Sequence, residues 1–348
     1  MGEVITVGLD LAKTVFQAHG VDTAGDVVVR RQLRRGEVLR FFAGLGRCVV
    51  AIEACGSAHY WARQIGALGH EVRLLPPAHV KPYVKRGRKN DAADAAALAE
   101  AVSRPQMRAV PVKSAESQAV VVLHRTRDLL VRQRTMLICA LRSHLAEFGI
   151  IAAQGKSGFA KLRASLEEAA DDAVPGPALA ALKLIAAPID DGDGKIAALE
   201  KTIVARHRGC AASRRLATIP GIGPITASAL AACVPDAAVF RSGRQLAAWL
   251  GLVPGQNSTG GKQRLGRITK TGDRYLRRLL VIGATGLIRY QRNHVPGGVA
   301  WLKALLARKP TRLVSVALAN KMARIAWAVM RRGEVYREAP APAPAAAA

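Results

Sequence analysis

Aromatic residues are scarce: Phe, Trp and Tyr make up only 4% of the 348 residues. Any core must therefore be built from Ala, Leu, Val and Ile, which the 50% hydrophobic content can supply. Cysteine is sparse and unpatterned. The five residues Cys48, Cys55, Cys139, Cys210 and Cys233 are odd in number and form no Cys-x-x-Cys pair. That argues against a disulfide framework or a zinc site and leaves them as small buried apolar side chains. No apolar run reaches the roughly 20 residues of a membrane-spanning helix, and the opening MGEVITVGLD reads as a strand rather than a signal peptide. These absences place the chain in a bacterial cytoplasm, associated with the nucleoid. Acidic residues are also few: 25 Asp and Glu stand against 52 Lys and Arg, a formal net charge of +27. Such an excess fits a polyanion bound through phosphate neutralisation and counterion release. A membrane surface is the competing polyanion, and the lack of a spanning run counts against it.

Four of the few acids are placed in a telling way. Asp10 ends the apolar run VITVGLD, Glu53 ends VVAIE, and Asp91 and Asp94 open DAADAAALAEAV. A carboxylate at the end of a buried strand is costly unless paired or metal-bound. Asp91 and Asp94 are three apart and share a face if that segment is helical. Magnesium takes oxygen ligands of this kind, and two such ions can clamp a reacting phosphodiester. Two plainer readings stand beside this one. Asp91 is a suitable helix N-cap, and Glu53 has arginines available for an ion pair.

The order of elements gives these positions a frame. Residues 4–9, 16–21 and 27–33 read as three strands of a β-meander, followed by a short helix at 37–46 and a central strand at 49–53. HYWARQIGALG is an amphipathic helix ending at Gly69, EVRLLPP is a fifth strand, and the basic stretch KPYVKRGRKN leads into the Ala-rich helix. This is the order of a ribonuclease-H-like fold, in which the first and fourth strands are neighbours and would bring Asp10 and Glu53 together. Residues 113–148 read as one long helix with an apolar stripe of Leu123, Leu130, Leu137, Leu141, Leu145 and Phe148 and a basic face of Arg125, Arg127, Arg132, Arg134 and Arg142. A Gly-, Ser- and Pro-bearing segment, 151–177, interrupts it, and a second helix at 178–209 is expected to kink near Pro188 and Gly192. The pair forms an antiparallel helical arm, an oligomerisation element or a packed linker. The fold class is therefore α/β followed by all-α. Boundaries fall at 1–110, 111–210, 211–335 and a low-complexity, disordered tail at 336–348.

In the third region RLATIPGIGPITASALAACV reads as a helix-hairpin-helix. Its glycines, Gly221 and Gly223, let backbone N–H groups approach a phosphate ahead of a helix N-terminus. An ordinary tight helix connection is the alternative. The segment after it reads as a polar, Gly-rich loop, GQNSTGGK, and then a basic helix. Between Gln256 and Arg292 there are nine Lys and Arg residues and one acid. Lys262, Arg264, Arg267, Lys270 and Arg274 are the candidate nucleic-acid contacts. Ser258 lies among them, but no Ser-His-Asp order surrounds it, so composition alone favours a solvated loop or a passive phosphate contact.

GLDLAKTVFQ, the Glu53 strand and KNDAADAAALAEA together resemble the N-terminal domain of the insertion-sequence 110 family of transposases, including its 1111-type subgroup. PGIGPITASALAACV, FRSGRQLAAWLGLVP and QNSTGGKQRLGRITKTGDRYLRRLLV resemble that family's C-terminal transposase domain. The resemblance implies a RuvC-like domain whose Asp10, Glu53, Asp91 and Asp94 hold magnesium, and a catalytic serine at Ser258. Many relatives read Ser-Ser at this point, where this chain has Ser258-Thr259. It further implies a structured guide RNA that pairs with donor and target DNA while the protein reads shape and backbone. Dimers assembling into a tetramer are implied too, with active sites built from two subunits and the long helix as dimer contact. The expected activity is cleavage and rejoining of DNA through a covalent phosphoserine. No Gly-x-x-x-x-Gly-Lys-Ser/Thr loop is present, in keeping with chemistry that needs no ATP. Two other classes remain open: a Holliday-junction-type nuclease using metal-activated water, and a non-catalytic nucleic-acid-binding protein.

Overall fold

The computed structural model describes residues 3–84, 90–168, 173–294 and 300–337, without the side chains of 156, 291–294 and 300. Most of the basic stretch before the Ala-rich helix, 85–89, and the tail from 338 lie outside the described residues. The chain forms two compact units, Met1–Gln118 and Ala119–Ala348.

The first unit is built on a mixed five-stranded sheet. Its strands are β1 (Thr6–Asp10), β2 (Val15–Val21), β3 (Val27–Arg34), β4 (Val49–Glu53) and β5 (Glu71–Leu75), in the order β3-β2-β1-β4-β5. β2 pairs antiparallel with β1 and with β3, while β1–β4 and β4–β5 are parallel. The helices are α1 (Val38–Ala43), α2 (Ala58–Gly66), α3 (Pro77–Val80) and α4 (Asp91–Val102). Strand alternation splits the residues between two faces. Val7, Leu9, Val50 and Ile52 pack with Phe16, Phe42, Trp61 and Ile65 on one face. Ala51 packs with Ala97, Leu98 and Ala101 of α4 on the other. Gly8 and Asp10 alternate with Val7 and Leu9, so they lie on the α4 face, as does Glu53.

The second unit is mostly helical. It comprises α5 (Ala115–Ala146, whose first turn precedes the division), α6 (Lys156–Glu168), α7 (Gly176–Gly209), α8 (Ala211–Leu216), α9 (Pro224–Cys233) and α10 (Gly243–Trp249). After these come the strands β6 (Pro254–Gln256) and β7 (Leu265–Ile268), then α11 (Arg274–His294), α12 (Ala300–Arg308) and α13 (Thr311–Arg332). Arg127 pairs with Glu200 and Arg134 with Asp193, which sets α5 and α7 antiparallel. The expected stripe is used: Leu141 and Leu145 are buried against Leu162, Leu166, Leu182 and Ile189, with Leu137 and Phe148 packed at the edge.

Several expectations need correction. Residues 151–177 are not merely an interruption, because α6 lies within them. Phe159, Leu162 and Leu166 give it an apolar stripe that completes the α5–α7 core. The second helix is present as expected: α7 runs unbroken through Pro188 and Gly192. The arginine face of α5 is not free. Arg125 pairs with Asp273, Arg132 with Asp128, and Arg142 donates to the Ala152 and Ala153 carbonyls at 2.9 and 2.7 Å. Cys48 is buried as expected, but Cys55 and Cys139 are exposed, and all five thiols are free. One helix, α13, does reach a spanning helix's length and mean hydropathy. Its buried residues, among them Val314, Leu318, Met322 and Val329, belong to the core shared with α9, α10 and α11, so the property is that of a core helix.

His124 is a buried polar residue in this core that the apolar stripe did not reveal. Its ring nitrogens lie 3.0 Å from the Tyr275 hydroxyl and 3.1 Å from the Ser228 hydroxyl, joining α5 to α11 and α9. Burial, and then the Arg127 charge, push its pKa down to about 4. An imidazole depressed in the folded state stabilises fully above its ordinary value of 6.5 and loses that contribution as pH falls towards 4. The loss is on the order of 3 kcal/mol. In urea titrations between those limits, the pH slope of stability should flatten in His124→Phe. An unchanged slope would mean that His124 does not titrate this way.

Candidate active site

The acidic site is set by how closely α4 lies on β1. A Cβ at Gly8 would stand 2.0 Å from the Ala95 carbonyl oxygen and 2.7 Å from the Ala99 nitrogen. Helix backbone therefore rests directly on strand backbone, which only glycine facing alanines permits. Ala95 is one residue beyond Asp94, and Gly8 is two residues before Asp10. The contact thus fixes the first turn of α4 over the end of β1. The adjacent strand β4 pairs Ile52 with Leu9, so Glu53 follows beside Asp10.

Asn90 caps α4, its side-chain oxygen accepting from the Ala93 N–H at 2.8 Å. The capping role considered for Asp91 is therefore taken by its neighbour, and Asp91 and Asp94 occupy the first turn. Glu53 is half-buried and does not take part in any ion pair among the described residues. Asp10 registers the whole group: its pKa is pushed up to about 6, by burial first and then by the charges of Asp94, Asp91 and Glu53. Four carboxylates thus share one electrostatic neighbourhood. Among the described residues, however, no three His, Cys, Asp or Glu side chains close up as a ready-made metal cage. A bound cation would offset the mutual repulsion of these charges. The donors are all carboxylate oxygens, a set that suits a hard divalent ion.

Sequence reasoning missed the polar strip beside these acids. Gln17 is directly opposite Asp10, His19 is opposite Gly8, and Arg30 is opposite His19. With Ala92, Ala93 and Ala96 they line a cavity of about 250 Å³. The signal was available in the alternation of β2, because residues paired with Asp10 and Gly8 must share their face. Cys55 is a second omission: although its surface is exposed, partial enclosure by its surroundings, then the charges of Glu53 and Asp10, push its thiol pKa up.

In the second unit the segment holding Ser258 is a β-hairpin, a correction to the polar loop. Pro254 pairs with Ile268 and Gln256 with Leu265. Thr259 and Lys262 exchange backbone hydrogen bonds at 3.3 and 3.0 Å around Gly260 and Gly261, both with positive φ. A Gly-Gly pair between two runs is a hairpin signal, hidden here because the flanking strands are short and carry Pro254, Gly255 and Gly266. Ser258 is exposed near the tip, and its hydroxyl accepts from the Arg264 backbone N–H at 3.3 Å. Lys262, Arg264, Arg267, Lys270 and Arg274 are all exposed along the hairpin and the start of α11. In the α8–α9 turn, Gly221 has φ +83° and is packed against Gly283 of α11 and Met322 of α13. Its freedom serves close packing, whereas Gly223 is exposed with open space around it.

Comparison with known proteins shows the family. The profile described as Transposase IS116/IS110/IS902 family matches residues 213–296, and a DEDD transposase profile of the same group matches residues 7–150. The chain is 53% identical to a probable family 20 transposase of Pseudomonas aeruginosa over 332 residues, covering 95% of this chain and 98% of that one. It is 47% identical to the putative transposase y4pF/y4sB of Sinorhizobium fredii, over 97% of this chain and 87% of the relative. It is 39% identical to the transposase for insertion sequence element IS1111A of Coxiella burnetii, over 97% and 92%. A DEDD domain of this type points to dependence on a divalent metal. The chain belongs to the IS110/IS116/IS902 family of insertion-sequence transposases, enzymes that cleave and transfer DNA.

Proposed function

We propose that this transposase is a serine recombinase in which Ser258 attacks DNA and the carboxylate cluster of Asp10, Glu53, Asp91 and Asp94 holds magnesium on a ribonuclease-H-like, RuvC-like first domain. One observation carries the reading. The four carboxylates gather at one end of the sheet, while the only hydroxyls displayed among exposed cations on the hairpin, Ser258 and Thr259, have no side-chain base hydrogen-bonded to them among the described residues. Bound magnesium would supply Lewis-acid polarisation of the phosphodiester at those carboxylates. The Ser258 hydroxyl loses its proton as its oxygen bonds the 5′ phosphorus. The 3′ oxygen leaves and takes a proton, and the same exchange in reverse joins a new strand. The phosphoester bond is conserved, so no ATP is consumed. Lys262, Arg264, Arg267, Lys270 and Arg274, with the open turn at Gly223, neutralise backbone phosphates. Sequence choice falls to a structured guide RNA, and dimers assemble into a tetramer with shared active sites.

Mapping the cut ends tests the chemistry. The proposal expects 5′ ends blocked by peptide and free 3′ hydroxyls. Free 5′ phosphates in water-derived yield would replace it with a hydrolytic nuclease.

The dimer contact is proposed on α5. Val122, Leu129 and Met136 recur every seven residues and are 54%, 46% and 69% exposed, an apolar row on the helix surface. Leu129→Glu is expected to shift the protein to monomer in sedimentation velocity without lowering its Tm. A variant that stays dimeric would move the contact elsewhere.

A further inference from the structure

A groove in the second unit, along the start of α10 and the facing sides of α12 and α13, has no role in the chemistry above. It encloses about 680 Å³, and Arg244, Trp301, Asn320, Lys321, Arg324 and Trp327 are among its lining residues. That size falls in the range of roughly 300–1,000 Å³ typical of small-ligand clefts. Among the described residues no acidic side chain lines it. None of the ion pairs among the described residues engages Arg244, Lys321 or Arg324. This contrasts with the arginines of α5, which are all committed to intrachain partners.

The walls are fixed. The Trp327 indole N–H donates to the Ala237 and Phe240 carbonyls, both at 3.1 Å. The Asn320 amide donates to the Leu252 carbonyl at 3.1 Å. α10 meets α13 at Gly243, where a Cβ would stand 2.8 Å from the Arg324 carbonyl oxygen, and this holds Arg244 and Arg324 at one groove. Trp301 is different. It is one of only four tryptophans in the chain and is 41% exposed, with the Lys321 ammonium 4.5 Å from its ring centroid. A large aromatic partly open to solvent, with Lys321 over its ring and two further cations outside any ion pair at the same groove, is a combination that can stack an unpaired base and neutralise its phosphates. Duplex DNA cannot use it, because its bases are already stacked on one another.

We propose that this groove binds single-stranded DNA, with one unpaired base against Trp301 and the flanking phosphates at Arg244, Lys321 and Arg324. The proposal rests on the family's DNA-transferring activity, which exposes unpaired strands, and not on Ser258 as nucleophile. The test measures binding of full-length protein to fluorescein-labelled oligothymidylate by anisotropy, so it is independent of strand cleavage. Trp301→Leu should weaken binding about tenfold, the loss of one stacked base, with duplex affinity unchanged. The double variant Arg244→Gln, Arg324→Gln should lower the salt slope by about 1.4. Photo-crosslinking of the wild type to an iododeoxyuridine-containing strand should place the adduct on Trp301. That arm and Trp301→Phe, which keeps a stacking ring and should bind nearly as wild type, decide the matter if Trp301→Leu does not fold. Wild-type affinity in Trp301→Leu, an equal loss for duplex, a crosslink mapped elsewhere, or tighter Trp301-dependent binding of oligouridylate would each overturn the proposal. Failure of Ser258→Ala to abolish covalent adducts would leave it untouched.

Discussion

Gly8→Ala is expected to cost about 3 kcal/mol, the upper part of the range for overpacking a filled core. The reason is geometric. The added methyl would stand 2.0 Å from a backbone oxygen and 2.7 Å from a backbone nitrogen of α4, so no side chain can rotate away to admit it. The helix must lift from β1. Asp91 and Asp94 ride on the first turn of that helix, so the same displacement separates them from Asp10 and Glu53. Stability and DNA cleavage should therefore fall together, although Gly8 carries no functional group. Differential scanning calorimetry with a cleavage assay on junction DNA checks this. A Gly8→Ala protein with native Tm and native cleavage would show that α4 does not rest on β1 as described.

Asp10→Asn should move stability and activity in opposite directions. The Asp10 carboxyl is held at about 6, well above the ordinary 3.8, by burial and by three neighbouring carboxylates. A raised acid stabilises most at low pH, below its unfolded value. That contribution is lost as pH rises from about 4 through 6, because the unfolded chain gives up its proton first. At neutral pH the metal-free protein therefore carries a destabilising charge. Asp10 is only about half-buried, so solvent screening reduces the effect to about 1 kcal/mol, or a Tm rise of about 2–4 °C for Asp10→Asn. DNA cleavage should fall by a factor on the order of 10³ or more, as for loss of a residue in a catalytic unit. Added magnesium should raise the Tm of the wild type more than that of the variant, which keeps only three of the four carboxylates. A variant less stable than wild type without metal, or one that responds equally to magnesium, would remove Asp10 from the cluster.

The first unit was largely legible because its signals are local and redundant. Two buried runs each end in an acid, an Ala-rich helix opens with two more, and Gly8 is two residues before Asp10. The second unit was less so. The hairpin bearing Ser258 has strands of only three and four residues, interrupted by Pro254, Gly255 and Gly266, so neither alternation nor β-propensity marks them. Only Gly260-Gly261 betrays the turn. α6 was hidden by its Gly, Ser and Pro neighbours, although Phe159, Leu162 and Leu166 carry its period. The Gln17, His19 and Arg30 strip required strand register, and Trp301 required three helices to be placed against one another. Neither is a property of sequence spacing.

The measurement closest to the central claim is covalent trapping. Wild-type, Ser258→Ala, Thr259→Ala and Asp10→Ala proteins would be incubated with magnesium, RNA from the flanking non-coding sequence and labelled DNA spanning the element junction, then run on denaturing gels. A protein–DNA adduct is expected in the wild type and Thr259→Ala and is expected to be absent from Ser258→Ala and Asp10→Ala. An adduct that survives in Ser258→Ala, or strand cleavage without any adduct that is indifferent to Ser258→Ala, would contradict the proposed serine mechanism.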